Sequence, residues 1–128
     1  MVKRLLPRRG FTLIELLVVM AIVATLLTLT LPRYFHSVEG SKVTVLMENL
    51  RTTRDAIDKF YGDKGRYPDS LDELVSAQYL RGLPIDPVAD GSRAWTIVPP
   101  PSDVPGKVYD IKSSAPGKAP DGRALSAL

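Results

Sequence analysis

Glu15 is the only charged residue between Phe11 and Pro32, in a stretch otherwise made of aliphatic side chains, alanines, threonines and one methionine. A carboxylate at membrane depth costs roughly 3 kcal/mol on insertion scales, so such acids are rare and need a partner. Just upstream is the junction Gly10-Phe11, preceded by Lys3, Arg4, Arg8 and Arg9. Glycine lets a protease approach the backbone closely, and a cut after Gly10 would leave Phe11 with a new ammonium. That ammonium would sit at a helix N-terminus, where the dipole already contributes positive charge. Glu15 of one subunit could neutralise it on another, turning two buried charges into one satisfied pair. The local alternative is that Glu15 caps N–H groups of its own first turn or snorkels to the interface. The chemistry written here is processing and ion pairing, not catalysis.

Little else in the chain could do chemistry. There is no cysteine, which excludes a disulfide framework, a thiolate zinc site and a cysteine nucleophile. His36 is the only histidine and reads as a solvated interfacial residue rather than a ligand. Asp86 and Asp110 have no evident partner in the sequence, and the scattered carboxylates read as solvated surface. Net charge is +3, but without the four leader cations 13 Lys and Arg face 14 Asp and Glu. No basic stripe survives outside the leader, which argues against a nucleic-acid partner.

These residues need a membrane helix to position them. Phe11 to Leu31 would span roughly 31 Å as a helix, close to the hydrocarbon thickness of a bilayer. Three readings fit a basic start followed by an apolar run. A secretory signal peptide should have a shorter apolar core and an A-x-A-like site, and here Ala21-Ile22-Val23-Ala24 has the wrong spacing. A plain single-pass anchor accounts for the length but not for Glu15. A leader cut at Gly10 accounts for both. In either of the last two, the basic leader stays cytoplasmic and the C-terminus faces outward.

Pro32 lacks an N–H and predicts a kink or a stop, with Thr28 and Thr30 able to satisfy part of the freed backbone. Helical periodicity resumes at once, which favours a kink. Val43, Leu46, Leu50, Ile57, Phe60 and Tyr61 form one apolar stripe, while Glu48, Arg51, Arg54, Asp55, Asp58 and Lys59 mostly take other faces. Gly62 is placed to end this helix, with Gly65 in the turn that follows. Ser70 and Glu73 have capping-box spacing and predict a short helix from Leu71 to about Tyr79. Asp90-Gly91 reads as a turn, and Ala94 to Val98 and Lys107 to Ser113 as two short antiparallel strands. Four prolines between Pro99 and Gly106 predict a rigid, irregular connection. The fold class is α+β.

Arg8-Arg9-Gly10-Phe11-Thr12-Leu13-Ile14-Glu15-Leu16 resembles the leader junction of type IV pilins and type II secretion pseudopilins. Tyr61-Gly62-Asp63, Arg66-Tyr67-Pro68, Tyr79-Leu80, Leu83-Pro84 and Asp86-Pro87 look like the major pseudopilin of type II secretion. The resemblance implies a pilin-like fold with four parts: a cleaved leader at 1–10, a transmembrane half-helix at 11–31, an amphipathic half-helix at 32–61 and a periplasmic head at 62–128. It implies cleavage between Gly10 and Phe11, N-methylation of Phe11, an assembly role for Glu15 and a helix kink at Pro32. The implied function is a structural subunit of a periplasmic filament that drives protein export, reached from the inner membrane. Its implied partners are further copies of itself, minor pseudopilins, the prepilin peptidase, and the inner-membrane assembly platform with its ATPase. A minor type IV pilin or competence pseudopilin is the near alternative; a membrane-anchored periplasmic enzyme is the distant one.

One departure stands out. The resemblance implies a last loop closed around calcium by carbonyls and several aspartates. Here Ser114 to Gly122 holds a single acid, Asp121, with Lys118 and Arg123 beside it. Calcium takes six to eight oxygens, commonly with several carboxylates. The sequence therefore predicts no metal cofactor, with Asp121 the one candidate calcium ligand.

Overall fold

The computed structural model of the chain describes residues 3–4, 6–90 and 95–128. The elements follow in the order α1 (Leu13–Lys64), α2 (Leu71–Ser76), β1 (Thr96–Val98), β2 (Asp110–Lys112) and a 3₁₀ turn (Leu125–Ala127). Two compact units divide the chain, Met1–Ser37 and Val38–Leu128. This is the α+β, pilin-like architecture expected.

In the second unit, α1 buries Val43, Leu46, Leu50, Thr53, Ala56, Ile57 and Phe60. Their three-to-four-residue spacing puts them on one face. Leu74, Trp95, Val108, Ile111, Ala115, Ala119 and Leu125 close over that face to complete the core. Each large aliphatic or aromatic side chain buried this way contributes about 1.5–3 kcal/mol. Tyr61, expected in the stripe, lies outside it: its ring is exposed and stacks on Tyr67 at 4.5 Å. Thr53 and Ala56 take the buried positions instead, and the Thr53 hydroxyl is satisfied by the Asn49 carbonyl at 2.7 Å.

The helix does not stop at Gly62. It continues to Lys64, and Gly65 at φ +69° donates its N–H to the Tyr61 carbonyl at 2.8 Å. A left-handed residue is what terminates a helix in this way, and Gly65 takes it without a Cβ penalty. The short helix α2 ends three residues before the expected Tyr79. Gln78 adopts φ +66°, with Gln78 N–H on the Val75 carbonyl and Tyr79 N–H on the Leu74 carbonyl. That is a Schellman cap built on glutamine, which composition alone does not flag.

At the start of α2 the Ser70 hydroxyl accepts the Glu73 N–H at 3.3 Å, as the capping-box spacing requires. The reciprocal arm reaches one residue further back, to the Asp69 N–H at 2.7 Å. Glu73 also takes the Arg66 guanidinium at 2.5 Å, and Arg66 lies over the Phe60 ring at 5.1 Å. One carboxylate thus joins the end of α1 to the start of α2.

The strands are shorter than expected. Thr96, Ile97 and Val98 pair antiparallel with Lys112, Ile111 and Asp110; Gly91 of the expected turn and Ala94 of the expected strand lie outside the described residues. Three prolines after Val98 offer no N–H to extend the ladder. On the other strand, the Lys107 and Val108 N–H groups turn to the Pro68 carbonyl, at 3.1 and 2.9 Å. Gly106 makes this crossing possible: at φ +116°, a Cβ there would meet the Tyr67 carbonyl oxygen at 2.4 Å.

Asp86 and Asp110 are not unpartnered surface acids. Asp86 is fully buried, accepting the Val88 and Ala89 N–H groups at 2.9 and 3.1 Å and the Ser113 hydroxyl. It pins the Leu83–Ala89 loop to the segment after β2. Asp110 accepts Arg54 Nε at 2.7 Å, and Arg54 Nη2 donates to the Ile111 and Leu128 carbonyls at 3.0 and 2.8 Å. Arg54, assigned to the solvated faces by periodicity, is therefore the tie between α1, β2 and the C-terminal turn.

Asp86→Ala leaves two N–H groups and a hydroxyl without their acceptor, so it should destabilise the head by about 2–4 kcal/mol, read as the urea midpoint of the chain in detergent. The Arg66 hydrogen bond, helped by the Asp69 N–H, holds the Glu73 carboxyl below its usual range. A depressed carboxyl pKa stabilises above the unfolded value, about 4.3, and that contribution is lost as pH falls through the folded value. Acid unfolding should accordingly be less steep in Glu73→Gln than in the parent over that window, followed by circular dichroism.

Candidate functional site

The site is the N-terminal junction and the first turns of α1. Residues 6–12 are exposed and outside any regular element, with Phe11 88% accessible. A Cβ placed on Gly10 would meet nothing within 4 Å, and its φ is not in the left-handed region. Among the described residues, nothing in the subunit requires glycine at this position.

Thr12 caps the helix. Its hydroxyl accepts the Glu15 N–H at 3.2 Å, and Glu15 Oε2 faces the Thr12 N–H at 3.5 Å. The Thr-x-x-Glu spacing is a capping box, a signal present in the sequence beside the one at Ser70 but not used there. In the single chain, then, Glu15 takes its local role in the first turn. The return arm lies at the outer limit of a hydrogen bond. It is also the carboxylate's only hydrogen bond among the described residues. At 3.5 Å this contact is weak, and a partner with full positive charge would offer the carboxylate both a shorter hydrogen bond and Coulombic attraction.

Beyond the cap, every residue from Phe11 to Leu31 is exposed. Helix α1 is long and apolar enough to cross a membrane, with mean hydropathy 2.5 over its most apolar window. So large an uncovered apolar surface requires lipid or other helices around it. Thr25, Thr28 and Thr30 return their hydroxyls to carbonyls one turn back, on Ala21, Ala24, Leu26 and Leu27. These bonds hide the hydroxyls from an apolar surround. They are made upstream of the Thr28 carbonyl that Pro32 leaves without its donor, so the expected compensation by Thr28 and Thr30 is not the one adopted. Helix α1 runs through Pro32 without a break. His36 lies exposed on the same helix.

Asp121 is not among these residues. It lies in the last loop, paired with Arg123 at 2.7 Å, and that guanidinium holds its carboxyl below the ordinary aspartate range. Among the described residues, no group of three or more His, Asp or Glu side chains is placed to hold a metal ion. One paired carboxylate flanked by Lys118 does not fit the donor set calcium needs.

Residues 6–31 match the prokaryotic N-terminal methylation motif. The type II secretion system core protein G of Klebsiella pneumoniae is 32% identical over 96 residues, covering 62% of this chain and 69% of that protein. The corresponding core protein G of Pseudomonas aeruginosa is 32% identical over 94 residues, covering 61% of this chain and 66% of that protein. The type IV major pilin protein PilA of Myxococcus xanthus is 38% identical over 74 residues, or 57% of this chain and 34% of the pilin. The chain therefore spans about a third of the pilin's length and about two thirds of the core protein G relatives. No solved structure matches it. The chain belongs to the pilin and pseudopilin family.

Because Gly10 makes no contact that a side chain would disturb, Gly10→Asp should leave the head folded while abolishing a mature N-terminus at Phe11. Edman sequencing and intact mass of membrane-extracted protein, beside an unchanged circular dichroism spectrum, check both halves.

Proposed function

We propose that the chain is a structural subunit of a type II secretion pseudopilus: inserted through α1, cut between Gly10 and Phe11, methylated on the Phe11 amine, and polymerised in the periplasm. The observation that carries this reading is an apolar half-helix exposed on every face with one acid in its first turn. Apolar packing between such helices supplies association when subunits leave the lipid. Glu15 then exchanges its long capping contact for the Phe11 ammonium of a neighbour, which fixes axial register. The similarity to two core G proteins over most of their length supports the secretion assignment. The partners are further copies, minor pseudopilins, the prepilin peptidase, and an inner-membrane platform with its ATPase. This reading gives the subunit a structural role, and the commitment of Asp86 and Asp110 to structural hydrogen bonds supports it.

A type IV pilin is the second reading, favoured by the 38% identity to the Myxococcus xanthus pilin. Deletion of the gene separates the two: loss of exoprotein in the medium supports the pseudopilus, and loss of twitching or transformation with secretion intact supports the pilin.

Glu15→Ala should insert and be processed normally but fail to enter filaments. Sheared-filament yield should fall at least about tenfold, while membrane levels and the mature N-terminus stay at those of the parent; a tenfold loss corresponds to about 1.4 kcal/mol of pairing. Normal filament yield from Glu15→Ala would remove the pairing mechanism.

A further inference from the structure

The last loop closes on itself where the family resemblance implies a bound divalent cation. Gly117 and Gly122, at φ +114° and +87°, turn the chain in conformations that side-chain-bearing residues avoid. Within the loop the Ala119 N–H donates to the Arg123 carbonyl at 2.8 Å and the Gly122 N–H to the Ala119 carbonyl at 2.9 Å. The Leu125 N–H donates to the Gly117 carbonyl at 3.1 Å, and Lys118 and Ala124 form an antiparallel bridge. The carbonyls of Gly117, Ala119 and Arg123 are thus already accepting hydrogen bonds. The product of this closure is the seating of Leu125, which is 2% exposed and packs in the core.

The loop's one acid is taken up from within. Asp121 Oδ1 accepts the Arg123 N–H at 3.1 Å, and Oδ2 accepts Arg123 Nε at 2.7 Å, with Nη2 also at 2.7 Å. Backbone and guanidinium of one residue therefore hold both carboxylate oxygens. Lys118 is the other cation in the loop and is exposed.

We propose that the Arg123 guanidinium is the resident cation of this loop, holding Asp121 in the turn that seats Leu125, so that the head closes without any divalent cation. Both partners are about half exposed. An ion pair of that kind adds little to global stability. Its consequence is local, on how often residues 117–125 open. Arginine suits the role because its planar fork brings Nε and Nη2 together onto Oδ2 while the residue's own N–H takes Oδ1.

The test is amide hydrogen exchange on the full chain in detergent micelles, with millimolar calcium or with a chelator, in the parent, Arg123→Gln and Arg123→Lys. The expected result is equal protection of Ala119 and Leu125 with calcium and with chelator in the parent. In Arg123→Gln those two amides should exchange about threefold faster while the α1 amides between Leu46 and Phe60 are unchanged, and Arg123→Lys should fall between. Calcium-dependent protection in the parent would overturn the proposal, since a metal would then be closing the loop. Parent-like exchange in Arg123→Gln would overturn it as well, and so would acceleration spread evenly into α1, because the clamp is local.

Discussion

A single helix has to satisfy two solvents, and the rest of the molecule follows from how it does so. Before Val38, α1 exposes every apolar side chain it carries and hides its threonine hydroxyls on its own carbonyls. From Val43 onward it buries one stripe and gives water the other faces. The head cannot assemble without that stripe. Among the described residues its own regular elements are a six-residue helix, two three-residue strands and a 3₁₀ turn. A two-stranded sheet of that size is marginal alone and needs a helix to pack on.

Polar ties then hold a head with so little regular structure. Arg54 reaches from α1 to Asp110 and to the Ile111 and Leu128 carbonyls, Arg66 with Glu73 joins α1 to α2, and buried Asp86 fixes the loop before β1 to Ser113. Asn49 adds a bond to the Ile85 carbonyl at 2.7 Å, and the Trp95 indole N–H one to Pro84 at 3.0 Å. No disulfide is possible in this chain, so these side-chain-to-backbone bonds do the work of joining segments distant in sequence. They also explain how proline-rich connections stay ordered: their carbonyls, having no ladder partner, become acceptors for side chains and for neighbouring loops.

The N-terminal site is arranged on the opposite principle. Gly10, Phe11, Thr12 and Glu15 touch almost nothing else in the subunit. Residues that serve the fold are buried and multiply bonded, whereas these are exposed and weakly held. The membrane segment shows the same exposure along its length.

How much of this was legible beforehand depended on the range of the interaction. The junction motif, the apolar span, the amphipathic stripe and the Ser70 cap are all local patterns, set by a few adjacent residues and by helical periodicity, and the chain displays them directly. Element ends are less legible, because Gly65 rather than Gly62 and Gln78 rather than a glycine take the left-handed conformation. The pairings of Asp86 with Ser113 and Arg54 with Asp110 join residues 27 and 56 positions apart. Periodicity says which face a residue occupies but not what stands opposite it. Local sequence thus determined the helix, its apolar half and the junction motif, while only the folded head decided which charged residues would be buried and held, because burial is a property of the whole packed surface and not of any window along the chain.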